Sequence, residues 1–170
     1  MTQPRIYNPM ATTFCQTAYI TTDLERALPQ VGAAHGIREW FSSSRFEFQM
    51  GKGRSGHIAL ALAYVGDMQI EVIQPLDGDV DFYRCMFSGN DFQIKFHHLC
   101  KAYETREEFD AKVAELNLAG IDLPVERTQD TCNDRGVACY ADFRQQMGHF
   151  MEHVWFGAAG RAWMNSIPRN

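Results

Sequence analysis

Nothing in this 170-residue sequence approaches the ~20 consecutive apolar residues that a membrane span requires. Cationic excess is missing too: 16 Lys+Arg against 21 Asp+Glu leave a formal net charge of -5. Such a chain has no global attraction for nucleic acid or an anionic membrane surface, so neither is an expected partner. Cysteine is sparse, and Cys15, Cys85, Cys100, Cys132 and Cys139 are odd in number and never spaced as Cys-x-x-Cys. That argues against a disulfide scaffold or a thiolate zinc knuckle and for plain buried or half-buried thiols. There is no Gly-x-Ser-x-Gly elbow and no His-Glu-x-x-His. The glycine-rich run at 51–56 lacks the Gly-Lys-Ser/Thr ending of a phosphate loop and reads as a surface turn. The opening, MTQPRIYNPMATTF, lacks the basic, apolar and small-residue succession of a signal peptide, so a cytoplasmic, reducing setting is expected.

What is present is a globular composition, 45% hydrophobic and 22% charged. The length suits one domain or two half-domains round a shared core. After a flexible opening up to Thr13, a strand is expected at 14–20. Thr22 and Glu25 then form a capping-box pattern before a helix whose Leu24, Ala27, Leu28 and Val31 share a face. Pro29 should kink or shorten that helix, and Gly36 should end it. Strands follow at 47–50, 57–64 and 68–74, the last two joined at Gly66-Asp67 and closed by Pro75. Residues 76–92 read as a linker with at most a short helix near 81–86. The pattern then restarts: a strand at 92–100, a capping box at Thr105 and Glu108, a helix carrying Phe109, Val113 and Leu116, a stop at Gly120, and strands at 123–127, 136–141 and 150–156. Residues 157–170 read as a tail on the surface, lying against a partner subunit.

The halves agree in order and spacing. Glu71 lies 55 residues after Gln16, and Glu152 lies 54 after His98. One β-α-β-β-β unit has too few strands to cover its own apolar face, but two side by side can build a curved mixed sheet with helices outside. Polar residues at strand centres are then informative, because side chains alternate between faces. Gln16 shares a face with Ala18 and Ile20, Glu71 with Gln69 and Ile73, His98 with Phe96 and Cys100, and Glu152 with Phe150 and Val154. A carboxylate in apolar surroundings is costly unless paired, hydrogen-bonded or metal-bound. Gln16, Glu71, His98 and Glu152 thus form a candidate oxygen/nitrogen ligand set for zinc, nickel, cobalt, iron or manganese. The alternative is that the carboxylates and Gln16 face solvent and His98 is a satisfied, half-buried histidine. His97 should point away from His98 in a straight strand, and His149 and His153 away from Glu152. His35 sits at a helix end, His57 could line a pocket mouth, and Arg5, Arg38 and Arg45 could clamp an anion, though no spacing selects one.

Four stretches carry a resemblance: Gln16-Thr-Ala-Tyr-Ile-Thr-Thr-Asp-Leu-Glu-Arg-Ala, Ala63-Tyr-Val-Gly-Asp-Met-Gln-Ile-Glu71-Val-Ile-Gln-Pro, His97-His98-Leu-Cys, and Tyr140-Ala-Asp-Phe through Gly148-His-Phe-Met-Glu152. Together they resemble the vicinal oxygen chelate superfamily of glyoxalases, methylmalonyl-CoA epimerases, extradiol dioxygenases and bleomycin-resistance proteins. The resemblance implies an α+β fold of paired βαβββ modules, about 14–75 and 92–156, forming a curved mixed sheet around a metal-binding cleft. It makes residues 1–156 a single domain followed by the tail. The family's four metal ligands fall on Gln16, Glu71, His98 and Glu152. Glu71 stands where the epimerases usually carry glutamine, and no second histidine is in register for the dioxygenase triad. The implied chemistry is proton abstraction next to a carbonyl, with a divalent metal ion stabilising the enediolate. Glu152 is the candidate general base, with Glu71 acting from the opposite side. The substrate would be a 2-oxo compound or a thioester, the reaction an isomerisation, an epimerisation or a glyoxalase-like lyase step, and the assembly a homodimer. The other expectation is a binding protein of the same fold that sequesters a small molecule without turnover.

Overall fold

A computed structural model describes residues 14–125 and 135–170. The expected opening segment, Arg5, Cys132 and the end of the strand expected at 123–127 lie outside the described residues. In chain order the elements are β1 (Phe14–Thr21), α1 (Leu24–His35), β2 (Phe41–Gly51), β3 (Arg54–Val65), β4 (Met68–Gly78), α2 (Asp81–Arg84), β5 (Ile94–Tyr103), α3 (Arg106–Leu118), β6 (Gly136–Phe143), α4 (Arg144–Met147), β7 (His149–Phe156) and α5 (Ala158–Asn165). The strands make one curled mixed sheet in the order β2-β3-β4-β1-β5-β7-β6. β1 runs parallel to β4 and β5 parallel to β7, while β1 and β5 meet antiparallel at the centre. The two modules therefore join along their first strands. This is the α+β arrangement of paired modules that the repetition implied.

Period-two alternation decides which side of the sheet each residue serves. On β3, Ile58, Leu60, Leu62 and Tyr64 pack into the concave core, whereas Ala59, Ala61 and Ala63 meet α1 through Leu24, Ala27 and Val31. Small alanines on that outer face let the helix approach closely. In the second module, Phe109 and Leu116 of α3 pack on Tyr103, Cys139 and Ala141. The Thr105–Glu108 capping box forms with both reciprocal bonds at 3.2 Å. The first helix differs from expectation. Its cap is Asp23, whose carboxylate accepts from the Arg26 amide at 3.1 Å, and Thr22 instead bonds toward Asp91 and Gln93. The helix also continues through Pro29 to Gly36, which takes the left-handed conformation at φ 76°.

Two segments exceed their sequence signals. β2 begins at Phe41 and includes the serine run, because Ser42 and Ser43 pair with Ala61 and Leu60 on the neighbouring strand. β4 runs through Pro75, which is tolerated beside a register shift at His57/Ile58. Of the strand expected at 123–127, residues 123–125 are described, and among them Val125 forms an isolated bridge to Tyr140. Among the described residues, no helix is long and apolar enough to cross a membrane.

The last segment is not a surface tail. After β7 the chain forms α5 and turns back into the fold, burying Met164 and Ile167. The Tyr64 amide donates to Pro168 at 2.8 Å, the Asn170 amide donates to the Tyr64 carbonyl at 2.9 Å, and the Asn170 side chain accepts from the amides of Arg38 and Glu39. Trp163 stacks on Phe46 with centroids 6.5 Å apart and meets Phe41 edge-on at 5.8 Å. The other end is held where Gly160 packs against Arg135; a Cβ there would lie 1.8 Å from the Arg135 carbonyl oxygen. Gly160→Ala should accordingly lower unfolding stability by roughly 1–3 kcal/mol and undock α5. Denaturant melts and the loss of protection of the Tyr64 amide in hydrogen exchange would measure it, and an unchanged Tyr64 amide would contradict this docking.

Candidate functional site

The four residues singled out by strand parity come together. Gln16 on β1, Glu71 on β4, His98 on β5 and Glu152 on β7 lie on strands adjacent in the sheet, and their side chains converge on His98 Nε2. That atom is 3.4 Å from Gln16 Oε1, 3.4 Å from Glu152 Oε2 and 3.6 Å from Glu71 Oε2. His98 is fully buried, and the two carboxylate side chains are only 13% and 12% exposed. Solvent-facing carboxylates are thereby ruled out.

One expectation fails at this point. His97 does not point away from His98: its Nδ1 lies 2.9 Å from His98 Nδ1, and both rings are fully buried. The cause is a register shift in the β1–β5 pairing, where Ala18 pairs with His98 but Tyr19 pairs with Phe96, leaving His97 as the extra residue of a bulge. A bulge abolishes strict alternation. The other histidines behave as expected or are remote. His149 bonds the Phe150 carbonyl and lies edge-on to Phe96, and His35 bonds Tyr19. His153, on the α3 side, pairs with the Tyr103 hydroxyl at 2.8 Å, and burial holds its pKa down to about 4. His57 and Arg45 both pair with Asp77 and do not line the cleft.

The bulge fixes proton positions. The Phe82 carbonyl, 3.3 Å from His97 Nε2, can only accept, so that nitrogen carries the proton and His97 Nδ1 presents a lone pair. His98 Nδ1 must then donate to it. His98 Nε2 is left with a lone pair aimed at three oxygens. The Gln16 amide is fixed likewise: its nitrogen donates to Gln69 Oε1 at 2.7 Å, and Gln69 donates to Met164 Sδ on α5 at 3.4 Å. Four acceptors thus face one another in an apolar interior. A proton held by Glu71 or by His98, or a cation in their midst, reconciles them.

The carboxylates are not equivalent. Burial, and secondly the charge of Glu152, push the Glu71 pKa well above the usual range. Burial also acts to raise Glu152, but hydrogen bonding and charge from His98, with hydrogen bonds from Cys100 and Tyr140, hold it below. Tyr140 lies opposite Glu152 in the β6–β7 register. Burial raises the pKa values of Tyr140 and Tyr83 well above normal, so both hydroxyls stay protonated. Gln69, Tyr140 and Met164 escaped the sequence reading. For Gln69 the signal was present, since it shares a strand face with Glu71.

Among the described residues, no three His, Cys, Asp or Glu side chains already surround a common metal position. The separations from Nε2 nonetheless approximate the ~3.4 Å chord between two donors, each about 2.1 Å from a shared ion at a tetrahedral angle. The donors suit a divalent cation pairwise with His98, and a closed shell requires the carboxylates to turn. Around them opens a cavity of about 550 Å³, walled by β2 and β3 on one side, β6 and β7 on the other, and α5 at one end.

Paired modules, a curled sheet and polar side chains from the inner strands of both halves define a vicinal-oxygen-chelate fold. The comparisons agree. Residues 15–139 match the Glyoxalase/Bleomycin resistance protein/Dioxygenase superfamily, and the chain belongs to it. Among solved structures, it is similar to a methylmalonyl-CoA epimerase from Mycobacterium tuberculosis at 14% identity, covering 95% of this chain and 97% of that one, with a TM-score of 0.52. A Streptomyces coelicolor methylmalonyl-CoA epimerase variant in complex with 2-nitronate-propionyl-CoA shares 13% identity over 87% and 99%, with a TM-score of 0.58. A hypothetical protein from Bacillus halodurans C-125 shares 15% over 85% and 94%, with a TM-score of 0.52. At these identities the likeness concerns the fold. No curated protein sequence matches the chain.

The proton assignment is testable without any ligand. In 15N spectra of the neutral protein, His98 should carry its proton on Nδ1. His97→Phe, which removes the acceptor, should redistribute that proton while leaving the far-UV spectrum intact. An unaltered His98 tautomer in the variant would break the assignment.

Proposed function

We propose that the chain is a divalent-metal-dependent isomerase or epimerase that removes a proton next to a carbonyl of a 2-oxo compound or thioester; a glyoxalase-like lyase step shares the same proton abstraction. The observation that carries this reading is the convergence of Gln16, Glu71 and Glu152, which line an open cleft, on Nε2 of the buried His98 behind them. Gln16, Glu71, His98 and Glu152 would hold the ion. When bound, it supplies positive charge beside the substrate oxygen that becomes negative as the proton leaves. Glu152 takes that proton from the carbon beside the carbonyl, while the carbon's electron pair moves into a carbon–carbon double bond and the carbonyl oxygen gains charge. Glu71, on the strand of the other module, can return a proton from the opposite side. Return to the same face regenerates substrate; return to the other inverts the centre. Tyr140 hydrogen-bonds Glu152 and so orients it.

Protein purified without chelator is expected to carry stoichiometric zinc, nickel, cobalt, iron or manganese by elemental analysis, and Glu71→Gln and His98→Ala should each lose it. Over a panel of 2-oxo and thioester compounds, solvent deuterium should enter the carbon beside the carbonyl, and Glu152→Gln should slow that entry by roughly 10²–10⁴-fold. Metal-free protein that binds a ligand saturably without exchange would instead establish a sequestering protein.

A further inference from the structure

We infer that the cleft selects a 2-oxo compound with an aromatic or similarly flat apolar body over a coenzyme A thioester, with α5 supplying part of the selecting wall. This rests on the reading above, which puts the oxygen-bearing end of the substrate at His98. The lining has a steep polarity gradient. Gln16, Glu71 and Glu152 cluster at the inner strands, and outward the wall becomes aromatic. Phe41, Phe46 and Phe48 on β2 and Trp163 on α5 are all only partly buried, each with ring surface left uncovered by the fold. The Trp163 and Phe46 rings lie within 9° of parallel, and Phe48 stacks toward Phe82 at 16°. These mutual contacts hold the rings in place, and the ring surface that each leaves toward the cleft packs against another flat ring with favourable offset or edge geometry.

Charge points the same way. Among the described residues lining the cleft, the ionisable acids and bases other than tyrosine and cysteine are Glu47, Glu71, Glu152 and Arg135. With Glu71 and Glu152 neutralised by a divalent cation, Glu47 and Arg135 are the charges left, and one guanidinium beside a carboxylate is a poor match for the several phosphates of coenzyme A, whereas a single carboxylate or carbonyl head at the cation is accommodated. A cavity of about 550 Å³ holds a ring and a short oxygenated chain with most of their surface buried. The C-terminal segment contributes at both ends of this gradient: Trp163 to the aromatic wall, and Met164 through Gln69 to the Gln16 amide.

The test is calorimetric titration of the full chain, loaded with manganese or zinc, with phenylpyruvate, pyruvate and propionyl-CoA. Phenylpyruvate should bind roughly tenfold or more tighter than pyruvate, from burial of the phenyl group, and tighter than propionyl-CoA. Phe46→Ala and Trp163→Phe should weaken phenylpyruvate several-fold and leave pyruvate unchanged; the conservative tryptophan change keeps α5 packed, which hydrogen exchange at Tyr64 verifies. Equal affinity for the two acids, tighter binding of propionyl-CoA, no binding of phenylpyruvate, or variants that weaken both acids alike would overturn the inference. Retained metal and solvent exchange on another substrate would then leave the proton-transfer reading standing. Phenylpyruvate binding that needs no metal and survives Glu71→Gln and His98→Ala would do the reverse, keeping the aromatic cleft and removing the metal chemistry.

Discussion

Gln16, Glu71 and Glu152 converge on the buried Nε2 of His98 at the point where the two modules meet. In water such an arrangement costs little; in a buried strand interior, each unsatisfied polar group costs about 1–3 kcal/mol and each charge more. The fold tolerates this because none of the four is free to leave. Glu71 and Glu152 are fixed in register on β4 and β7, flanked by strands on both sides. His98 is held at its far nitrogen by His97, and Gln16 by Gln69. Such strain at one place, supported all round, is characteristic of sites built for a charged guest. A proton or a cation among the four side chains offsets that cost.

The decisive irregularity is small. One extra residue in β5, opposite β1, turns two adjacent histidines toward each other and converts His97 into the partner that sets the proton on His98. The outer partner of an imidazole commonly decides which nitrogen is offered inward. Here that partner is itself anchored to the backbone carbonyl of Phe82, within α2. The short helix in the linker between modules thus bears on the centre through two side chains.

Much of this was legible in the chain because buried strands obey a period of two and polar residues in them stand out. Gln16, His98 and Glu152 were each visible as a polar residue among apolar neighbours on one face, Glu71 as a carboxylate between Gln69 and Ile73, and near-equal spacing in the halves tied the four together. Features that depend on a partner strand were not legible. His97 looked like the back of a regular strand, since a bulge belongs to the pairing of β1 with β5 and not to either sequence alone. The serines at the start of β2 are weak strand formers, and hydrogen bonds from β3 enlist them. The first helix capped at Asp23 because the Thr22 side chain is engaged with Asp91 and Gln93. Phe46 and Trp163 come from opposite ends of the chain, so no local pattern could pair them.

The C-terminal helix resolves a problem that paired modules leave open. Joining two curled units along their first strands makes a trough with β2 at one edge of the sheet and β6 at the other. In the first module the trough wall is tall and aromatic. In the second, among the described residues, Val125 meets the edge strand β6 as an isolated bridge to Tyr140. α5 crosses from the start of β6, where Gly160 allows contact with Arg135, to β2 and β3, where Trp163 and the chain end are bound. It supplies apolar surface to a cleft whose two modules are unequal, and it does so without adding charge near the acceptors: the side chains it turns inward are Trp163 and Met164. A charged side chain at either position would alter the electrostatics of the cleft that Gln16, Glu71 and Glu152 line. The apolar character of this segment is therefore coupled to the polarity of the centre, and the site is shaped by all three parts of the chain.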